Sequence, residues 1–186
     1  MEKKPTDVLE DEHRYILKVI SALSVLAESL EKGEQVEPEK YKNILEFMRI
    51  FADKCHHGKE EALLFPLLEK RGVSPQGCPI GVLIHDHQTG RTLVAGLAEA
   101  VEGYQNGNLA ARDALLKNIL DITALYPGHI WKEDYLAFPM SNKVLNAEDQ
   151  HSLSEEFEKV DENIGMDVYQ RLTYLADHLE WIHTGD

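Results

Sequence analysis

The chain has 186 residues, of which 43% are hydrophobic and 28% charged, a balance typical of a globular domain with a sizeable core. The formal net charge is −14, because 33 Asp and Glu residues outnumber 19 Lys and Arg residues. Such a chain lacks the basic footprint of a nucleic-acid binder and is not attracted to an anionic membrane surface. Two Cys residues are too few for a disulfide framework or a Cys-based zinc site, whereas nine His residues in an acidic chain can indicate a metal.

The first 14 residues are charged and lack the apolar stretch of a secretory signal. No run approaches the roughly 18 apolar residues that a membrane-spanning helix needs. We therefore expect a cytoplasmic protein with no membrane or nucleic-acid partner.

Apolar residues spaced three and four apart predict helices along almost the whole chain. The first helix is expected over residues 8–32, between Thr6 as its N-cap and Gly33 as its stop. The second is expected over residues 39–64, and Pro66 should end it. The Gly- and Pro-rich residues that follow form the longest break in the pattern.

The third helix is expected over residues 80–106. The fourth is expected over residues 109–139, where Pro127 should introduce a kink. Residues 147–182 carry one or two further amphipathic helices, and no stretch alternates as a strand would.

Four long helices joined by short connections predict an all-α fold, an up-down-up-down four-helix bundle with a C-terminal helical extension. We expect residues 1–145 to form the bundle. Residues 146–186 should form the extension and pack on the same domain.

A motif in the second predicted helix recurs in the fourth, 73 residues later. The two segments are His56-His-Gly-Lys-Glu60-Glu-Ala-Leu-Leu-Phe-Pro and His129-Ile-Trp-Lys-Glu133-Asp-Tyr-Leu-Ala-Phe-Pro. On the helices before them, His13 and His87 each follow an acidic residue and lie 74 residues apart. The chain is therefore interpreted as two copies of one helical hairpin, each with one His on its first helix and a His-x-x-x-Glu pair on its second.

Side chains four residues apart lie on the same face of a helix, so each His-x-x-x-Glu pair can reach one metal centre. All the repeated His and Glu residues fall on apolar stripes, where ionisable groups are costly to bury unless they are paired or bound to metal. Four imidazoles and two carboxylates are enough for two metal ions. Mixed ligands of this kind suit non-haem iron, with zinc or manganese as alternatives. The predicted metal ligands are His13, His56, Glu60, His87, His129 and Glu133.

The repeated motifs, together with Glu12-His13-Arg14 and Asp86-His87-Gln-Thr-Gly-Arg91, resemble the hemerythrin-like (HHE cation-binding) family. The match covers about residues 8–140 and keeps the family's order of motifs on successive helices. The resemblance implies two iron ions in a four-helix bundle, a di-iron centre bridged by two carboxylates and by an oxo or hydroxo group. It also implies that the six residues above are the iron ligands. Residues 147–182 resemble the helical extension of many bacterial members.

Two positions depart from the oxygen carriers of that family. Carriers have a five-His set, but Arg91 occupies the position of their second His on the third helix. Their last acid is an Asp five residues after its His, whereas here Glu133 follows His129 by four. The resemblance therefore favours a protein that binds and reacts with oxygen, nitric oxide or peroxide. The alternative is an iron-sensing or iron-handling regulatory module, and a metal-free helical interaction domain is the third hypothesis.

His57 and Tyr126 are candidates for positions beside the ligands. In an α-helix His57 is turned by about 100° from the ligand before it, so a supporting or surface role is favoured over ligation. Tyr126 shares the inward face, and core packing is its first interpretation; hydrogen bonding to a bound molecule and metal ligation are the alternatives. No proton-transfer residue is identified, so enzymatic turnover, the electron donor and any protein partner stay open.

The acidic residues that follow the predicted ligands, Glu61 and Asp134, are expected either to be solvated or to orient ligand imidazoles. Cys55 is expected to pack near the site without binding metal. The other His residues are expected at the surface or at helix ends: His85, His151, His178 and His183.

Overall fold

The computed structural model describes residues 3–182, apart from the side chains at positions 109, 180 and 181, and His183 lies outside it. The described residues contain helices and no strand, so the all-α prediction is confirmed. The helices are α1 (Pro5–Glu31), α2 (residues 38–70), α3 (Ile80–Gln105), α4 (residues 109–144), α5 (Ala147–Ile164) and α6 (Met166–Asp177), followed by a 3₁₀ turn (Leu179–Ile182).

Two of these helices contain π-helical segments. Helix α2 comprises the α-helical segments Pro38–Phe47 and Phe65–Lys70 and the π-helical segments Met48–His57 and Glu60–Leu64. Helix α4 comprises Leu109–Lys132, the π-helical segment Glu133–Ala137 and Phe138–Val144. The π segments coincide with both copies of the repeated motif, and π turns inside α-helices are frequent at functional sites.

The prediction that Pro66 and Pro139 end their helices is wrong, because α2 continues to Lys70 and α4 to Val144. Each Pro lies in the first turn of an α-helical segment that follows a π segment. The fixed φ of a proline is compatible with a helix, so the chain stays helical through Pro66 and Pro139.

The π turns also change which leucines face inward. The α-helical pattern placed Leu63 and Leu136 on the inner stripe, but the structure buries Leu64 and Ala137 and leaves Leu136 39% exposed. A π turn holds more residues than an α turn, so the inward position moves one residue along the chain.

Helix α1 begins one residue before the predicted cap. Pro5 is its first residue and Lys4 its N-cap, so the prediction for Thr6 is wrong. A proline with its fixed φ suits the first helical position, and the Thr6 hydroxyl instead pairs with Asn142 of α4. Gly33 follows the end of α1 with φ +81°, as its predicted role as a stop requires.

Each of the first four helices packs against the next, and α4 also packs along α1. Their inner faces form two apolar clusters with a polar layer between them. On α1, Leu9 belongs to the smaller cluster and Ile16 to the larger one, and His13 lies between them. The buried His and Glu residues are thus surrounded by apolar side chains on both sides.

Helices α5 and α6 pack on α1, and α5 also contacts α2. Leu172 and Ala176 of α6 are buried in the larger apolar cluster. Within residues 3–182, no helix is both long and apolar enough to span a membrane.

Candidate metal centre

All six predicted ligands are buried, and their side chains converge. On one side, the Nε2 atom of His13 lies 3.0 Å from Nε2 of His56 and 3.1 Å from Oε2 of Glu133. Two imidazoles from α1 and α2 therefore meet a carboxylate from α4.

On the other side, Nε2 of His87 lies 3.4 Å from Oε2 of Glu60 and 3.4 Å from Oε1 of Glu133. Nε2 of His129 is 3.1 Å from Oε1 of Glu133. Glu133 thus faces imidazoles of both sides, and Glu60 also lies 3.9 Å from Nε2 of His56. The two carboxylates are positioned between two pairs of imidazoles.

Several buried side-chain nitrogen and oxygen atoms of this cluster, each able to bind a metal, have no hydrogen-bond partner among the described residues. They are both side-chain oxygens of Glu60, both of Glu133, both ring nitrogens of His129 and the Nε2 atom of His87. Leaving one such group unpaired costs about 1–3 kcal/mol, and more when it is charged. His13, His56 and Glu133 offer ligand atoms within 4.8 Å of one another, as do Glu60, His87 and Glu133. The donor set therefore fits bound cations.

A carboxylate lies beside the Nδ1 atom of each imidazole, and it makes a hydrogen bond to that atom in three of the four. The pairs are His13–Asp134 at 2.7 Å, His56–Glu12 at 2.9 Å, His87–Glu61 at 2.6 Å and His129–Asp86 at 3.5 Å. A carboxylate in this position fixes the ring and directs the other nitrogen toward a metal. Of the two roles expected for Glu61 and Asp134, the geometry matches the orienting one.

These outer carboxylates follow the internal repeat. Glu12 and Asp86 each precede the His on the first helix of their hairpin. Each contacts the His on the second helix of the same hairpin, which is His56 for Glu12 and His129 for Asp86. Glu61 and Asp134 each follow the Glu on the second helix of their hairpin. Each contacts the His on the first helix of the other hairpin, which is His87 for Glu61 and His13 for Asp134. The two hairpins therefore hold each other's imidazoles in place.

The two central carboxylates have opposite pKa shifts. Burial and the neighbouring Glu133 carboxylate hold the pKa of Glu60 well above its usual range. Glu133 is equally buried, yet the imidazoles, His129 foremost, hold its pKa well below its usual range. Two adjacent buried carboxylates ionise together only when positive charge compensates them, so the pair favours a cation.

The imidazoles on the α1–α2 side also differ from each other. Burial opposes charging of His13, but hydrogen bonds to Asp134 and Glu133 raise its pKa to about 9. Burial and the neighbouring His13 lower the pKa of His56 well below its usual range. His56 is therefore neutral, as a metal ligand has to be.

A buried ion-pair network connects this centre to the C-terminal helices. The Lys59 ammonium is fully buried, pairs with Glu12 and lies 2.6 Å from Oδ1 of Asp161 on α5. The Tyr169 hydroxyl of α6 donates to Oε1 of Glu12 at 3.4 Å. Cys55 donates from Sγ to Asp161 at 3.1 Å, so its thiol faces the extension. Glu12 also holds His56, and the network therefore ends at a predicted ligand.

The sequence indicated only part of this network. Lys59 and Lys132 occupy equivalent positions of the repeat, and nothing in the repeat distinguishes Lys59 from Lys132, which is 27% exposed beside Asp86. The burial of Lys59 depends on α5 and α6, which have no counterpart in the second hairpin. No pattern in the sequence around Asp161 indicated that this residue would pair with Lys59.

His57 and Tyr126 both lie against the cluster. His57 is 3% exposed, so the surface role is wrong; the π-helical turn points two consecutive His residues inward. Its ring stacks on His87 with centroids 3.8 Å apart. Tyr126 is buried edge-on to His129, and its hydroxyl lies so close to Gly90 that a Cβ atom there would be 3.3 Å away.

A cavity of about 100 Å³ lies beside these two residues. It is lined by Met48, Arg49, Asp53, His57, Arg91, Val94, Ala95 and Tyr126. A water molecule occupies about 30 Å³ of the liquid, so the space is sufficient for a diatomic molecule or peroxide.

The exposed His residues, as expected, are His85, His151 and His178.

The family model for the hemerythrin HHE cation binding domain matches residues 4–141. Uncharacterized proteins of Mycobacterium bovis and Mycobacterium tuberculosis are 25% identical to the chain over 154 residues. That region is 83% of this chain and 59% of each relative, so the chain spans less than two thirds of these curated relatives. No solved structure matches the chain.

Proposed function

The chain belongs to the hemerythrin HHE cation-binding family, and we propose on that premise that its buried cluster holds two iron ions. One observation carries the proposal: four imidazoles and two carboxylates converge, and seven of their side-chain nitrogen and oxygen atoms lack a hydrogen-bond partner among the described residues. Mixed imidazole and carboxylate ligands suit non-haem iron. The proposed ligands are His13, His56, Glu60, His87, His129 and Glu133.

In this arrangement, His13 and His56 hold one iron, and His87 and His129 hold the other. Glu60 and Glu133 lie between the two pairs and are proposed as bridging carboxylates. The family resemblance adds an oxo or hydroxo bridge. The outer carboxylates keep the Nε2 atoms directed inward.

We propose that the centre binds and reacts with oxygen, nitric oxide or peroxide. Bound iron supplies a Lewis acid and a source of electrons. The protein supplies an apolar enclosure, including Phe138 stacked on His13 and Phe65 stacked on His87, which keeps bulk water out. Burial raises the pKa of Tyr126, so its hydroxyl keeps its proton and can donate to a molecule in the adjacent cavity.

The ligand assignment is tested by Glu60→Ala and Glu133→Ala. Each change should reduce the iron content and the melting temperature, because metal binding is coupled to folding. The measurement is iron per chain by elemental analysis, with Glu155→Ala as the control at an exposed carboxylate. Wild-type iron content in both central variants would refute the assignment.

Reactivity is tested by stopped-flow spectra of the reduced protein mixed with oxygen, nitric oxide or peroxide. Rapid oxidation with turnover supports reaction at the centre. A stable oxygenated species would instead indicate a carrier.

The second candidate is an iron-sensing or iron-handling module, and the Lys59 network favours it. Through Glu12, Lys59 and Asp161, the contacts of α5 depend on the position of His56. Iron binding would then change how the C-terminal helices pack. Hydrogen exchange of α5 with and without iron tests this; protection that does not change excludes the module.

We further propose the up-down-up-down bundle. Helix α1 packs on α2, α2 on α3, α3 on α4 and α4 on α1, the neighbour pattern of such a bundle. The contacts of α5 and α6 with α1 support one domain with residues 1–145 as bundle and 146–186 as extension. A cytoplasmic location and the absence of nucleic-acid and membrane partners stay predictions.

A further inference from the structure

We propose that His57 is a fifth imidazole ligand of the centre, on the side of His87 and His129. The proposal rests on the proposed function, since it adds a ligand to the iron held there. His57 follows the proposed ligand His56 directly on α2.

The backbone of α2 is what brings His57 inward. In an α-helix, neighbouring residues are about 100° apart, and a residue after a ligand faces away from the centre. Met48–His57 is π-helical, and both His56 and His57 are buried at its end. Two consecutive imidazoles therefore reach the same interior.

The position of His57 groups it with two proposed ligands. His57, His87 and His129 each offer a ring nitrogen, and these atoms lie within 4.8 Å of one another. All three side chains are buried. Three nitrogens this close can be bound by one cation.

His57 is also held in the same manner as the other four imidazoles. Its Nδ1 atom lies 3.4 Å from Oδ1 of Asp53, one turn earlier on α2. An imidazole held at Nδ1 by a carboxylate has its Nε2 atom free for a metal. Each of the five buried imidazoles thus has a carboxylate oxygen between 2.6 and 3.5 Å from its Nδ1 atom.

Arg91 of α3 supports the same contact. Its Nε atom donates to Oδ1 of Asp53 at 2.7 Å. Arg91 thus fixes the carboxylate that holds His57. His57 therefore has a support of two residues, Asp53 and Arg91.

A different role for the ring would be as a stacking platform, because it lies nearly parallel to His87 at 3.8 Å. His57→Phe separates the two roles, since Phe keeps an aromatic ring and removes the nitrogens. His57→Ala removes both the ring and the nitrogens. His151→Phe is the matched control at an exposed His.

The measurements are iron affinity by chelator competition and Mössbauer spectra of the iron-loaded proteins. We expect His57→Phe and His57→Ala alike to lower the affinity at one site, by about tenfold or more, since even removal of an outer partner has that effect. One of the two Mössbauer doublets should shift in both variants. Asp53→Asn should cause a smaller shift of the same doublet.

Wild-type affinity and spectra in His57→Phe, with a change only in His57→Ala, would overturn the proposal and leave a stacking role. Wild-type spectra in both variants would also overturn it. Both results leave the proposed function standing, whereas a wild-type protein that binds no iron refutes the proposed function itself. Circular dichroism of each variant shows whether a loss of iron comes from unfolding.

Discussion

At the scale of single residues, the outer carboxylates define how well the imidazoles are oriented. Asp134 is 28% exposed and holds His13 at 2.7 Å, so it can be changed without opening the core. The convergence of the six proposed ligands could be predicted from sequence, because a spacing of four on a helix fixes a shared face. The inward position of His57 could not, because a π turn has no sequence pattern comparable to helical periodicity.

Asp134→Asn should weaken iron binding by about 10- to 100-fold while the folded protein persists, because the imidazole of His13 loses its charged partner. Chelator competition followed by absorbance measures this. Asp113→Asn changes an exposed carboxylate far from the imidazoles and is the control. Equal affinities in the two variants would contradict an orienting role for Asp134.

At the scale of helices, the internal repeat places two lysines in equivalent positions with different surroundings. Lys59 is fully buried between Glu12 and Asp161, and Lys132 pairs with Asp86 at 2.5 Å near the surface. Glu12 and the other charges around Lys59 raise its pKa against the effect of burial. Breaking the buried contacts of Lys59 should therefore cost more stability than breaking the partly buried pair of Lys132.

Lys59→Met leaves the Glu12 carboxylate buried without its cation, and it should lower the free energy of unfolding by about 3–5 kcal/mol. Lys132→Met should cost no more than about 1 kcal/mol, as is usual for solvent-accessible pairs. Urea denaturation of the two variants measures the difference. Similar losses in both would mean that α5 and α6 do not determine the strength of this network.

The π-helical register of α2 can be tested by changing two neighbouring residues, Leu63 and Leu64, one at a time. Leu64 is fully buried, so Leu64→Ala should destabilise the protein by about 2–5 kcal/mol. Leu63→Ala, at a partly buried position, should cost clearly less. An α-helical register would reverse this order, and thermal denaturation decides between the two.

At the scale of the whole molecule, the sequence allows the helices and their order to be predicted, because apolar residues recur three and four apart in α1 to α4. The contact between the extension and the centre could not be predicted, since Asp161 and Tyr169 meet Glu12 and Lys59 only through tertiary packing. The centre is enclosed by two apolar clusters, so its ligands contribute to stability only when a cation compensates their charges.

Removal of iron by a chelator should therefore lower the melting temperature. The stability gained from a bound ligand grows with its concentration relative to the dissociation constant. Calorimetry of the iron-loaded and iron-free protein measures the shift, and reconstitution with ferrous iron should reverse it. Identical melting curves would show that the cluster folds stably without a cation.

The central claim is that Glu60 and Glu133, with four imidazoles, hold two iron ions side by side. Mössbauer spectroscopy in an applied field, on protein purified after aerobic growth with ⁵⁷Fe, tests it most directly. The account predicts a pair of antiferromagnetically coupled ferric ions with a diamagnetic ground state. Isolated paramagnetic iron, or stoichiometric zinc with no iron, would contradict it.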